Sequence, residues 1–372
     1  MSGTSLDGID AALLETDGYS LVRPLGFVCL PYQADIRAQT RACFGLRDVE
    51  AAQVKDTAKA LTIEHANAVY ELLEETGFKP GDIDLIGFHG QTIFHAPREG
   101  VTIQIGEGDL LAAQTGIDVV DDFRSADVAA GGEGAPLVPL YHRARLSSDD
   151  VKGPVVVLNI GGVGNVTWIG AGEDEILAFD TGPGNALMDD WAQTRTGVRY
   201  DEDGMLASLG RPLERYLQEW LSHPYFERMA PKSLDRDQWD IAALGPMVEG
   251  LGALSTQDGA ATLMEFTARS IVRSVQLMPS SPHVWYVCGG GRHNKALMKR
   301  LAFLLSESNY GELKMVEDLG WNGDATEAEC FAYLGVRSVL GLPLSLPSTT
   351  GVKAPQTGGV FHATPEHLKK KA

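Results

Sequence analysis

Short apolar runs alternate with longer stretches of helical period along this chain. Ile9-Asp10-Ala11-Ala12-Leu13-Leu14-Glu15 reads as a strand that stops at Thr16-Asp17-Gly18. Residues 19–32 follow as one or two more strands, and 49–76 carry the 3.6-residue period of a long helix. Residues 84–89 and 101–105 predict short strands, 106–116 a helix and 117–123 a strand. The stretch 124–136 is rich in glycine and alanine and predicts a loop or hinge. Beyond it the pattern predicts a helix over 137–146, strands over 154–160, 165–169 and 175–180, and a mostly helical 184–280. Residues 283–288 form the last clear strand, before helices from Asn294 and over 326–340.

Strand-then-helix units in both halves favour an α/β architecture. At 372 residues two domains are expected rather than one core. The best boundary is the glycine-rich stretch near 130. It gives domains over 1–130 and 131–337, with a segment over 338–372 that packs back on the first.

Composition narrows the partners. Thirty-one Lys and Arg against 50 Asp and Glu leave a net charge of −19, poorly suited to nucleic acid or an anionic membrane. An anionic ligand would have to be held by backbone dipoles, a few chosen cations or a metal ion. Cys29, Cys43, Cys288 and Cys330 are scattered without a C-x-x-C pair, which suits buried thiols in a reducing cytosol. No apolar run reaches the length of a membrane span, and no signal peptide precedes the first motif. The expectation is a cytosolic, soluble protein.

Candidate chemistry sits at the strand ends, where open α/β sheets place ligands. Glycine-rich turns occur at 3–8, 161–164, 182–184 and 289–291. Each exposes backbone N–H groups able to hold phosphate oxygens, although most glycine turns are only turns. A P-loop lysine, the kinase H-R-D and D-F-G pair, G-x-G-x-x-G and G-x-S-x-G are all missing. Asp180, in Phe179-Asp-Thr-Gly-Pro-Gly-Asn185, stands at a strand end before a helix. It is either a capping aspartate or a general base, and spacing does not choose. Arg124 is either an ordinary ion-pair partner or an anion grip. Glu327, in the first turn of a helix, already suits the helix dipole. His89 and His95 lack the spacing of a zinc-binding H-E-x-x-H pair.

Taken together, these segments closely resemble the anhydro-N-acetylmuramic acid kinase family. The matching runs are Ser2-Gly-Thr-Ser-Leu-Asp-Gly8, Phe88-His-Gly-Gln-Thr92, Asp122-Phe-Arg124 and Gly132-Glu-Gly-Ala-Pro-Leu-Val-Pro139. They continue with Leu158-Asn-Ile-Gly-Gly162, Asp180-Thr-Gly-Pro-Gly-Asn185, Pro231-Lys-Ser233, Cys288-Gly-Gly-Gly291, and Gly323-Asp324 with Glu327-Ala328. They cover the chain nearly end to end, in family order.

The resemblance implies a two-domain actin-like fold, shared by sugar kinases and heat-shock ATPases, with ATP and sugar in the cleft between domains. It implies that Gly3, Thr4, Ser5, Leu6, Asp7 and Gly8, together with Gly161 and Gly162, hold ATP phosphates. Gly289, Gly290 and Gly291 would lie by the nucleoside, and Asp180 matches the family's catalytic base. His89, Gln91, Arg124 and Glu327 fall in motifs lining the sugar side. The implied reaction consumes ATP with Mg²⁺, its metal ligands unassigned, and converts 1,6-anhydro-N-acetylmuramic acid from cell-wall turnover into N-acetylmuramic acid 6-phosphate. The expected partners are the sugar and ATP, without nucleic acid or membrane, and with a homodimer as an option.

Two departures qualify the match. The family often continues Pro-Lys-Ser with Thr-Gly-Arg-Glu, whereas this chain has Leu234-Asp-Arg-Asp237. The family also carries a short strand before the first glycine turn, whereas here Met1 directly precedes Ser2. Either the start is assigned late or the strand is lost. A lost strand would favour an inactive ATP- or sugar-binding protein, and a third reading is an actin-like or chaperone ATPase without a sugar.

Overall fold

The computed structural model describes residues 1–367 apart from Ser5, Glu173, 235–250 and Glu366. The chain divides into two compact units. Unit 1 comprises Met1–Asp150 with Ala325–Ala372, and unit 2 is the continuous segment Val151–Asp324.

Unit 1 opens on an antiparallel hairpin. Strand β1 (Gly8–Thr16) pairs with β2 (Val22–Pro31) in a register running from Gly8↔Pro31 to Thr16↔Val22. Ser2 bridges to Ile9, and Met1 and Asp10 exchange two backbone hydrogen bonds of 2.8 Å. The helix Ala52–Thr76 lies against this hairpin and buries Val54, Leu61 and Leu72; Gly77, at φ 75°, ends it in the left-handed conformation that glycine adopts freely. Next come β3 (Ile86–Gly87), β4 (Gln91–Ala96), β5 (Val101–Ile105) and β6 (Val119–Asp121). Strands β3 and β6 pair in parallel, while β4 and β5 form a second hairpin.

Unit 2 is built on one sheet. Its strands are β7 (Val155–Ile160), β8 (Val163–Ile169), β9 (Ile176–Pro183), β10 (Val284–Cys288) and β11 (Glu312–Met315), in the order β11-β10-β7-β8-β9. β10 runs parallel to β7 and β11, and β7-β8-β9 is an antiparallel meander. Val156, Leu158, Phe179 and Trp285 from the sheet pack with Leu263, Phe266 and Ile271 of the helix Thr256–Arg273. The near-continuous apolar run Val155-Val-Val-Leu158 is what a strand covered on both faces requires.

After unit 2 the chain returns to unit 1 with the helix Thr326–Val339 and a last strand, β12 (Val360–His362), antiparallel to β6. The helix lies so close to β3 that a Cβ on Gly87 would stand 1.9 Å from the Phe331 carbonyl oxygen. Only glycine fits there. No helix among the described residues is long and apolar enough to cross a membrane.

The division differs from the expected one at both ends. The chain changes units at Asp150/Val151, not near 130, because the glycine-rich stretch is tied into unit 1. Ser125–Ala129 is a short helix rather than loop, Gly132 and Gly134 donate to the Asp127 carbonyl and carboxylate, and Glu133 donates to the Thr350 carbonyl. The expected boundary at 337 falls inside the helix Thr326–Val339, which belongs to unit 1 throughout.

Candidate active site

In unit 1 the turn before β1 is pinned by a leucine. Leu6 takes a φ of 54°, donates its N–H to the Gly3 carbonyl at 3.1 Å, and is fully buried. A left-handed leucine costs roughly 1–2 kcal/mol, which its burial offsets. Thr4 and Asp7 face solvent, Gly3 is half-buried, and Ser5 lies outside the described residues. Gly8 is required by packing: a Cβ there would stand 2.6 Å from Cys29 Sγ and 3.0 Å from the Leu30 carbonyl oxygen.

The His89 segment lies beside this turn, since Ser2 Oγ donates to the Gly90 carbonyl at 3.4 Å. Arg124 sends Nε and Nη2 to His89 Nε2 at 3.1 and 2.9 Å, and Nη1 to the Gly134 carbonyl at 2.7 Å. A nitrogen receiving two guanidinium donors must be an acceptor, so the His89 proton sits on Nδ1 and is donated to the Gly90 carbonyl at 2.9 Å. Burial, and then the Arg124 charge, hold His89 well below the usual imidazole range. It is a neutral histidine. Phe331 packs on its ring at a centroid distance of 4.4 Å and lies 5.8 Å from the Arg124 guanidinium.

Glu327 keeps solvent contact. The density of protein around it nevertheless raises its carboxyl above the ordinary range, opposed by Arg124 and reinforced by Asp10. Gln91 differs from the others. It is wholly buried, its Nε2 donating to the Thr92 carbonyl at 3.1 Å and its Oε1 accepting from Tyr32 at 3.2 Å. It braces the floor and does not reach outward.

In unit 2 two of the three remaining glycine turns meet at the carboxyl ends of neighbouring strands. The 161–162 turn follows β7 and the 289–291 turn follows β10, with Cys288 opposite Asn159. The carbonyls of Gly161 and Gly162 accept the N–H groups of Asn185 and Gly184, at 2.7 and 2.9 Å, where the helix Ala186–Thr196 begins. The turn is thereby braced from behind. A Cβ on Gly184 would stand 2.2 Å from the Gly161 carbonyl oxygen, and one on Gly289 2.2 Å from Asn159 Oδ1. Gly291 is as tight, 2.3 Å from Ile160 Cγ2, whereas Gly290 is open, its nearest neighbour being Asn185 Nδ2 at 3.9 Å.

Asp180 belongs to a polar row crossing this sheet. It lies opposite Asn165 of β8, which lies opposite Asn159 of β7. Directly opposed residues share a face, so two amides and a carboxylate stand side by side, each half-buried, in strands otherwise largely buried. Leu234 N–H donates to Asp180 Oδ2 at 2.7 Å. Leu234 is the first residue of the 234–237 departure from the family pattern, yet it contributes a backbone donor that any residue but proline supplies. Residues 235–237 lie outside the described residues.

Among the described residues no three His, Cys, Asp or Glu side chains cluster as a metal site. Thr4 and Asp7, exposed in the 3–8 turn, carry the oxygen donors that suit a hard cation keeping most of its ligands as phosphate and water.

Unit 1 therefore gathers the 3–8 turn, His89, Arg124 and Glu327. Unit 2 separately gathers Gly161, Gly162 and Gly289–Gly291 beside the row ending in Asp180. Sequence reasoning missed Asn159, the lone polar residue of its apolar strand, Asn165, which shares its strand with only one other polar side chain, Thr167, and the burial of Lys232, for which spacing gave no signal.

A family model described as anhydro-N-acetylmuramic acid kinase matches residues 1–364. The anhydro-N-acetylmuramic acid kinase of Rhodospirillum rubrum is 48% identical over 364 residues, covering 97% of this chain and 92% of its own. That of Rhizorhabdus wittichii is 49% identical over 367 residues, 97% of each chain. Among solved structures, an activator of 2-hydroxyisocaproyl-CoA dehydratase from Clostridium difficile with bound ADPNP is 10% identical, with a TM-score of 0.44 over 90% of this chain and 96% of its own. That last likeness bears on neither fold nor function.

Proposed function

The chain belongs to the anhydro-N-acetylmuramic acid kinase family, and from that premise we propose how its residues divide the reaction. Membership carries the actin-like fold of sugar kinases and heat-shock ATPases, with which two α/β units accord. The enzyme uses ATP to open 1,6-anhydro-N-acetylmuramic acid and phosphorylate O6, giving N-acetylmuramic acid 6-phosphate in peptidoglycan recycling.

Asp180 is the general base. It takes a proton from a water that attacks C1, the C1–O6 bond breaks, and O6 takes the γ-phosphoryl group as ADP leaves. The water supplies the new C1 oxygen, and its proton passes through Asp180 to solvent. A carboxylate facing water across an anomeric carbon acts in this way in inverting glycosidases. The N–H groups of the 3–8 turn, Gly161 and Gly162 hold phosphate oxygens, with Gly289, Gly290 and Gly291 by the nucleoside. Glycines that admit no side chain let the backbone approach a ligand closely. Asp7 of the 3–8 turn would hold Mg²⁺ together with phosphate oxygens, and the ion would supply neutralisation of phosphate charge.

Arg124 and Glu327 face the sugar. Neutral His89 fixes the guanidinium, and Gln91 acts from behind through Tyr32. ATP and the sugar are the partners, and a chain of net charge −19 is poorly suited to nucleic acid.

The observation that carries the reading is the held carboxylate of Asp180 at the end of a polar row. It is tested in ¹⁸O-labelled water, where the label is expected at C1 of an initially α-anomeric product and not in the phosphate. Asp180→Asn should lower turnover roughly 10²–10⁴-fold while ATP still binds. Label in the phosphate would overturn the assignment.

A further inference from the structure

One group of side chains in unit 2 closes around Asp180 without belonging to the phosphate turns. Lys232 is only 3% exposed, a rare state for lysine. Its Nζ donates to the Tyr225 carbonyl at 2.8 Å and lies 4.3 Å from the Tyr225 ring centroid. The same tyrosine donates its hydroxyl to the Asp180 carbonyl at 2.6 Å. Asp180 N–H donates to the Lys232 carbonyl at 2.9 Å, and Leu234 N–H binds the Asp180 carboxylate. Both backbone groups of Asp180 and one carboxylate oxygen are thus bound to a frame whose anchor is Lys232.

We propose that Lys232 is a positioning residue for the base: by docking on Tyr225 it fixes the loop 231–234, so that the Leu234 N–H sets the carboxylate's orientation. This rests on reading Asp180 as the base. A carboxylate free to rotate loses its aim at the water, and a loss of aim of this kind lowers kcat rather than substrate binding.

The charge of Lys232 serves the same end. Among the described residues it forms no ion pair, so its field reaches Asp180 and Glu227 without direct neutralisation. Burial, with Arg228 and Arg273, lowers the ammonium to about 8, against the pull of Asp180 and Glu227. Below that pH the positive charge favours the ionised form of Asp180 that proton abstraction needs. Above it the cation, and its attraction to the tyrosine face, is lost.

The test compares Lys232→Met, Lys232→Gln and Asp180→Asn in the full-length enzyme, measuring kcat, both KM values and the pH dependence of kcat/KM for the sugar. Lys232→Met should lose about 10–100-fold in kcat, with KM for ATP nearly unchanged. Its acid limb should move to higher pH, because the carboxylate loses a cation and a fixed donor. Lys232→Gln keeps a donor for the Tyr225 carbonyl without the charge, so it should lose less and still move the acid limb; it also serves if the Met variant fails to fold. Wild-type kcat in Lys232→Met, or wild-type kcat with an unmoved acid limb in Lys232→Gln, with Asp180→Asn inactive, overturns this proposal alone. Near-normal turnover of Asp180→Asn overturns the base assignment on which it rests.

Discussion

Arg124 in unit 1 and Lys232 in unit 2 both meet neutral acceptors, and they differ in what pH does to them. The guanidinium keeps its charge at any working pH, and the imidazole that accepts from it is held neutral. The ammonium of Lys232 titrates near neutrality instead, at about 8. Unit 1 thus presents a fixed charge at Arg124, whereas unit 2 holds Asp180, the proposed base, beside a charge that comes and goes. In a chain of net charge −19, neutral partners are how a cation stays available to an anion.

The largest expected effect breaks the symmetry between the units. Unit 1 buries His65, His89 and His142, while the described histidines of unit 2, His223, His283 and His293, are not buried. Burial holds His65 and His142 at about 3. Between that value and about 6.5 the unfolded chain binds protons that the folded unit refuses, so stability is lost as pH falls below 6.5. Each of these two histidines should cost about 2 kcal/mol at pH 5. His362 works the other way, its carboxylate partners Asp121 and Asp109 outweighing burial and raising its pKa. Hydrogen exchange between pH 7 and 5 should rise first in unit 1, and an earlier rise in unit 2 would contradict this account.

The next effect sharpens the difference between the two cations. Arg124→Met should lower kcat/KM for the sugar roughly 10²-fold, since it removes a charge and strands the His89 acceptor. Arg124→Lys should recover little, because one ammonium cannot reproduce two donors to His89 and a third to Gly134. Recovery to within about threefold would mean that charge alone matters at this position.

The smallest effect concerns Asn165, the amide opposite Asp180. Asn165→Ala should cost about tenfold in kcat with little loss of stability. Asn165→Asp sets a second carboxylate opposite Asp180 and should move the acid limb to higher pH. A wild-type pH profile in the Asp variant would show that the row does not act as a unit.

Sequence periodicity located most of the helices and strands because burial here follows the pattern closely: 101–105, 154–160 and 283–288 were each legible. It missed β4, whose Gln91 and His95 interrupt the apolar alternation, and β12, three residues long and paired across most of the chain. Ser125–Ala129 looked like loop because glycines follow it closely. Glycine motifs located turns at the strand ends, but could not reveal that Gly8 and Gly184 answer to packing against neighbouring backbone. The roles of His89 and Gln91 also had to wait for the fold. Both come from one motif, yet one accepts from a cation and the other is sealed in.

Because unit 2 is one unbroken segment within unit 1, synthesis and folding run in different orders. The five strands of unit 2 are complete before the ribosome reaches Thr326. Domains fold as units during synthesis, so the second sheet can close while the first-made residues still wait. Gly87 waits for Phe331, β6 for β12, and Tyr141 for Glu329, to which its hydroxyl is bonded. The part of unit 1 synthesised before unit 2 is therefore the last to mature, and a nascent chain stalled after unit 2 would hold Asp180 and the Lys232 loop but lack the Phe331 platform under His89 and Arg124.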